Sequence, residues 1–270
     1  MLFKTLLILL GLIGLSVPIA ASLGWVGLIL QYTDSPMPLY RAISDLAWQT
    51  STDFLLVAIP MFVMMGEILL RAGITERMYD SIVKWLGWLP GGLMHSNIGS
   101  SALFAATSGS SVATAATIGT VALPQIKKRG YNESLFLGTV AAGGTLGILI
   151  PPSINLILYG LLTNTSVPEL YLAGFLPGFL LALLFMSTVI IACLLNPKWG
   201  GEKLRHTWLE RLGALPSLLP PLGIFAVVVG SIYAGIATPT EAAALGVVAA
   251  MLLAFANGKM SLGMMRQAAE

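Results

Sequence analysis

Thr107-Ser108-Gly109-Ser110-Ser111, with Thr114 close behind, sets small hydroxyl side chains around a glycine, in a region (85–126) that has no Asp, Glu, Lys or Arg. A second unusual stretch follows, where Gly143, Gly144 and Gly147 precede Pro151-Pro152, with Asn155 just beyond. Neither stretch pairs a nucleophile with a base. His95 has no acidic or cysteine neighbour in sequence and does not read as a metal ligand. No G-x-S-x-G, H-E-x-x-H or P-loop pattern occurs, so neither hydrolysis nor ATP-driven work is indicated. The chemistry on offer is non-covalent. Hydroxyls and the carbonyl oxygens of an unwound helix suit a small hard cation such as Na⁺. A half-helix beginning after Pro152 would aim its N-terminal amides at an anionic group.

Membrane helices must position these groups. Of 270 residues, 56% are hydrophobic and 10% charged, and mean hydropathy is +0.86; soluble domains carry roughly a quarter charged residues. A net charge of +2 gives no footprint for nucleic acid, and Cys193, the single cysteine, supports no disulfide framework. Apolar segments fall at about 5–30, 54–70, 135–162, 170–195, 214–236 and 240–256. The first is too long for a typical signal-peptide core and reads as an uncleaved span; Ser16-Val17-Pro18 allows the alternative of two short helices, with the N-terminus outside.

If residues 71–84 are cytoplasmic, 13 of the 14 Lys and Arg fall inside and Arg41 alone outside. Region 85–126 then has both ends inside. Legs of about 16 residues reach roughly 24 Å, short of a roughly 30 Å hydrocarbon core. The expectation is a re-entrant hairpin whose tip, Thr107–Ser111, is buried partway across. Three glycines and two prolines should unwind the next helix at mid-membrane, and irregular backbone at that depth must be buried in protein or line a wet cavity. Segment 75–86 reads as an amphipathic helix along the inner surface. Thr238-Pro239-Thr240-Glu241 and Ser166-Val167-Pro168-Glu169 both read as helix starts with a capping Ser or Thr. Glu67, four residues before Arg71, reads as a paired or snorkelling carboxylate, and the six Trp as interfacial belts.

Three long motifs, "SSALFAATSGSSVATAATIGTVALPQIKKRGYNESL", "GTVAAGGTLGILIPPSINLILYG" and "GSIYAGIATPTEAAALG", resemble the large membrane subunit of tripartite ATP-independent periplasmic (TRAP) transporters, in order and across the whole chain. The resemblance implies an all-α integral membrane protein of the elevator type, built from inverted repeats that each hold a re-entrant hairpin and a broken helix. It implies Na⁺-coupled import of small organic acids, such as dicarboxylates or sugar acids, across a bacterial inner membrane. A periplasmic substrate-binding protein and a small four-helix membrane subunit would be the partners, with membrane lipid around them. No cofactor beyond the coupling ion and no enzymatic activity is implied. Carried onto this chain, residues 1–88 are scaffold helices and an interfacial helix. Residues 89–165 are half of a transport domain, with the hairpin at 89–127 and the broken helix at 135–162. Residues 166–236 are further scaffold and 237–270 the start of a second repeat. Ser108, Gly109 and Ser110 would face Gly144, Thr145 and Gly147 around Na⁺. Ser111, Thr114, Pro151, Pro152 and Asn155 would lie on the substrate side.

The motifs of a second hairpin and a second glycine-then-proline break are not found; "LPSLLPPLG" at 215–223 lacks the glycines and reads as a helix start. The chain is therefore expected to hold the first repeat and the beginning of the second. A non-transporting fragment or scaffold, and an ion-coupled carboxylate carrier outside the tripartite family, stay open as alternatives.

Overall fold

A computed structural model describes residues 2–34, 43–202 and 204–269; Arg41 and Lys203, both used in the charge count, lie outside the described residues. The chain divides into two units, 1–53 and 54–270. Among the described residues every named element is helical, apart from one isolated β-bridge between Tyr131 and Gly200.

In the first unit, the apolar stretch expected as one span is two helices, α1 (Leu2–Gly14) and α2 (Ile19–Asp34). The break follows from local chemistry. Pro18 disfavours helical backbone at Val17, and Ser16 takes a left-handed φ of 61°. The two helices run antiparallel, since Lys4 Nζ near the start of α1 meets Asp34 Oδ2 at the end of α2 at 3.0 Å. Lys4 therefore lies at the same end of the pair as Asp34, as the two-helix alternative required. A short exposed helix, α3 (Ile43–Ser51), follows.

In the second unit, four of the described helical stretches are long and apolar enough to cross a membrane: Phe54–Arg71, Val167–Leu195, Trp208–Tyr233 and Pro239–Ala256. The chain is thus a helical integral membrane protein. The first stretch contains α4 (Ala58–Arg71), where Arg71 Nε meets Glu67 Oε2 at 3.2 Å, the pairing expected for that carboxylate. A left-handed Gly73 then turns the chain into α5 (Ile74–Leu86), the amphipathic helix. It buries Ile74, Met78, Tyr79 and Ile82 and leaves Glu76, Arg77 and Asp80 exposed.

The hairpin consists of α6 (Leu93–Ser108) and α7 (Ser111–Ala122), closed by the short basic α8 (Pro124–Arg129). The second leg is shorter than the 16 residues expected, because α7 starts after the turn at Gly109-Ser110 and ends at Ala122. The broken helix consists of α9 (Glu133–Thr145), a 3₁₀ turn at Leu146–Ile148, an irregular link through Pro151-Pro152, and α10 (Ile154–Thr163). Asn132 caps α9 by accepting from Leu135 N at 2.9 Å.

The remaining helices are α11 (Val167–Leu195), α12 (Trp208–Ala214), α13 (Leu219–Tyr233), α14 (Pro239–Ala256) and α15 (Leu262–Ala269). The two expected helix starts diverge. Thr238 forms a full capping box with Glu241. Ser166 makes no side-chain cap. Pro239 occupies the first helical position and Pro168 the second; the Glu169 amide, equivalent to the one Thr238 caps, is present but not bonded by Ser166.

Two apolar cores hold the unit together. One joins α4, α13, α14 and α15, with Phe62 and Met65 fully buried. The close approach of α14 to α4 needs a residue without a side chain, because a Cβ on Gly246 would overlap Met65 Sδ. The other core gathers α5, α6, α7, α9 and α11 around Met94, Ile98, Phe104 and Phe136. A buried polar chain crosses it: Tyr79 Oη donates to Asn97 Oδ1 at 2.7 Å, and Asn97 Nδ2 donates to Thr139 Oγ1 at 3.1 Å, tying α5, α6 and α9. At the hairpin base, the Leu93 amide donates to Tyr131 Oη at 3.0 Å, and backbone bonds join Asn132 N to Trp199 O and Glu202 N to Arg129 O.

Candidate functional site

The tip of the hairpin is a two-residue turn. Gly109 takes a left-handed φ of 63° and its amide closes α6 on Ala105 O at 2.9 Å. Only glycine adopts that conformation at little cost. Ser110 is extended and caps α7 by accepting from Ala113 N at 3.3 Å. Ser108 and Thr114 stitch the two legs, their hydroxyls 3.2 Å apart, and Thr114 Oγ1 donates on to Ser110 O at 2.7 Å. Thr107 Oγ1 donates to Phe104 O. Both Ser108 and Thr114 are buried.

The break lies against this tip. Ile154 N, the first amide of α10, donates to Gly109 O at 3.1 Å. A Cβ on Gly109 would stand 2.9 Å from Pro152 O, and one on Gly147 would stand 3.0 Å from Ser111 N. One on Gly144 would meet Ala115 Cβ at 2.7 Å and Ser111 O at 3.2 Å. The glycines of the break are therefore where the two backbones touch. Ser153 Oγ donates to Ile148 O at 2.7 Å and closes the irregular link on itself. Four helix ends converge here: the C-terminal ends of α6 and of the 3₁₀ turn, and the N-terminal ends of α7 and α10. Carbonyl-rich ends favour a cation and amide-rich ends favour an anion, so the junction can serve both signs.

The expected site residues fall into three groups. Gly109, Ser110, Ser111, Gly144 and Gly147 are brought together at the tip–break contact, and Pro151 and Pro152 are buried beside it. Ser108 and Thr114 are also at the tip, with their hydroxyls engaged to each other. Thr145 is not brought in: its side chain is exposed and its hydroxyl donates to Ala142 O at 2.7 Å, within its own helix. Asn155 is exposed on the first turn of α10. Two side chains keep polar capacity in hand. Ser111 Oγ is shielded from solvent and has no partner among the described residues, and the Asn155 side chain is exposed.

Three supports of the site were missed from sequence. Gly66 of α4 comes so close that a Cβ there would lie 2.8 Å from Ser108 Cβ. Ser101 of α6 occupies the space against Gly143. Gly174 and Gly178 of α11 receive the break itself, at Leu149 and Ile150. The last pair had a signal, since Gly174-x-x-x-Gly178 is the small-residue spacing that lets membrane helices approach closely.

A helical hairpin whose tip docks on a discontinuous helix is a layout that recurs among secondary transporters. The chain matches the family described as the DctM component of the tripartite ATP-independent periplasmic transporters over residues 6–269, and it belongs to that family. It is a family of transporters rather than enzymes. Among its relatives, the ectoine TRAP transporter large permease protein TeaC of Halomonas elongata is 36% identical over 74% of this chain and 46% of its own length. The C4-dicarboxylate TRAP transporter large permease protein DctM of Vibrio cholerae is 33% identical over 92% of this chain and 54% of its own length. The sialic acid TRAP transporter permease protein SiaT of Haemophilus influenzae is 31% identical over 89% of this chain and 39% of its own length. The chain thus spans about half the length of the curated relatives it matches.

Proposed function

We propose that this chain supplies the first-repeat half of the ion and substrate site in a Na⁺-coupled importer of small organic acids. The observation that carries the reading is the contact between Gly109-Ser110-Ser111 and Gly147–Ile154, where four helix ends meet with Ser111 Oγ unengaged. Na⁺ would take backbone carbonyls of Gly109 and Gly147 and the Ser110 hydroxyl, with the unengaged Ser111 hydroxyl on the substrate side. The carboxylate of the substrate would face the N-terminal ends of α7 and α10, with Asn155 as a side-chain donor. Membership of the family supports a periplasmic substrate-binding protein and a small membrane subunit as partners, and a bacterial inner membrane as the location. The basic loops, α5 and the hairpin base would face the cytoplasm. The transport domain of the elevator would be built around 89–165. Matched relatives named for C4-dicarboxylate, sialic acid, isethionate and ectoine transport support small, polar organic solutes as the substrate class.

The test is uptake into proteoliposomes by the permease assembled with its partner subunit and binding protein. An inward Na⁺ gradient should drive accumulation of a radiolabelled dicarboxylate or sugar acid, and a K⁺ gradient should not. Accumulation that ignores Na⁺ would overturn the coupling. Assembly without any accumulation, across a panel of organic acids, would favour the scaffold reading.

A further inference from the structure

A second polar feature lies away from the tip, where α5 meets α12. Arg211 is held between two indoles: its guanidinium carbon is 5.1 Å from the Trp208 ring centroid and 6.0 Å from that of Trp88. Both distances are within cation–π range. Trp85 fixes the frame, donating from Nε1 to Arg211 O at 3.1 Å and meeting Trp208 edge-on at 6.3 Å. The Ser81 hydroxyl donates to Ala214 O at 2.6 Å and locks α5 to α12 from the far side.

Among the described residues no carboxylate lies within ion-pair distance of Arg211, and its Nε is shielded from solvent without an acceptor. The adjacent carboxylate, Glu210, is already taken by the Thr207 amide at 3.0 Å and by His206 Nδ1 at 3.2 Å. The surroundings are apolar and open: Trp88 is 56% exposed, Trp208 68% and Leu209 84%. Arg211 also stands in the first turn of Trp208–Tyr233, a stretch apolar enough to cross a membrane. A span that begins there holds Arg211, Trp208 and Leu209 together near a membrane interface, where indoles and basic side chains gather.

We propose that Arg211, clamped between Trp88 and Trp208, binds the phosphate of an anionic membrane phospholipid. The planar guanidinium suits two phosphate oxygens at once. The exposed indole faces and Leu209 suit the acyl part, for which a soluble anion has no use.

The experiment titrates the purified chain in zwitterionic detergent with dioctanoyl phosphatidylglycerol, dioctanoyl phosphatidylcholine or inorganic phosphate, following tryptophan emission. Phosphatidylglycerol should give a saturable change that phosphatidylcholine and inorganic phosphate do not. Arg211→Gln should weaken it by about tenfold and Arg211→Lys by less, since a point charge replaces the fork. Trp88→Phe, with Arg211 intact and helicity checked by circular dichroism, should weaken it by about threefold, as expected for an exposed cation–π contact. Three results would overturn the proposal: equal response to phosphatidylcholine, the full response from inorganic phosphate alone, or Arg211→Gln and Trp88→Phe both binding phosphatidylglycerol as the parent chain does.

Discussion

Gly147 and Gly66 show how little room the hairpin tip has. A Cβ on Gly147 would meet Ser111 N at 3.0 Å and Ser110 C at 3.1 Å, both backbone atoms that cannot step aside. Gly66→Ala would press a methyl to 2.8 Å from Ser108 Cβ. Overpacking of this kind costs about 1–3 kcal/mol, so Gly66→Ala should lower the midpoint of denaturant unfolding in detergent. Gly138→Ala, inside α9 with nothing within 4 Å of the added carbon, should hold the midpoint or raise it slightly. At this scale the sequence was partly legible. The hydroxyl cluster and the glycines before Pro151 stood out by type. Their partners did not, because Thr145 turning to Ala142 O is set by its own helical register, and the approach of Gly66 comes from a helix more than forty residues upstream.

Among the elements, caps and corners carry specific weights. Thr238 bonds the Glu241 amide, and Glu241 returns a bond to the Thr238 amide at 2.8 Å. Thr238→Ala should cost about 1 kcal/mol, read as an earlier thermal loss of helicity, while Ser166→Ala, which removes no cap, should change it far less. Tyr131→Phe would strip the acceptor from the buried Leu93 amide at the hairpin base. An orphaned buried amide costs about 1–3 kcal/mol, so the variant should unfold earlier in the same assay. Helix positions were readable from apolar runs bounded by charge, and the hairpin from its uncharged legs. The α1–α2 break was readable only as an option, because a single X-Pro step is compatible with either a kink or a turn. The Ser166 motif marked a helix start, since α11 begins at Val167, but not a side-chain cap.

For the molecule as a whole, orientation and coupling are the claims at stake. In a Cys193→Ala background, Arg205→Cys should react with a membrane-impermeant maleimide only after the cytoplasmic face is opened. Asn164→Cys, exposed at the end of α10, should react in intact cells. The reverse pattern would invert the topology. Whole-chain class was the most legible level, since hydropathy and basic loops report it directly. The substrate was the least legible, because backbone amides and carbonyls favour a sign of charge rather than a particular molecule. The most direct measurement is Na⁺-driven uptake by the assembled permease carrying Gly147→Val, beside the parent and Gly138→Ala. The account predicts uptake in the parent and in Gly138→Ala, and a loss of at least about tenfold in Gly147→Val, the loss of transition-state or binding energy that about 1.4 kcal/mol produces. Uptake at the parental rate in Gly147→Val, with Na⁺ dependence intact, would contradict the assignment of the site to this junction.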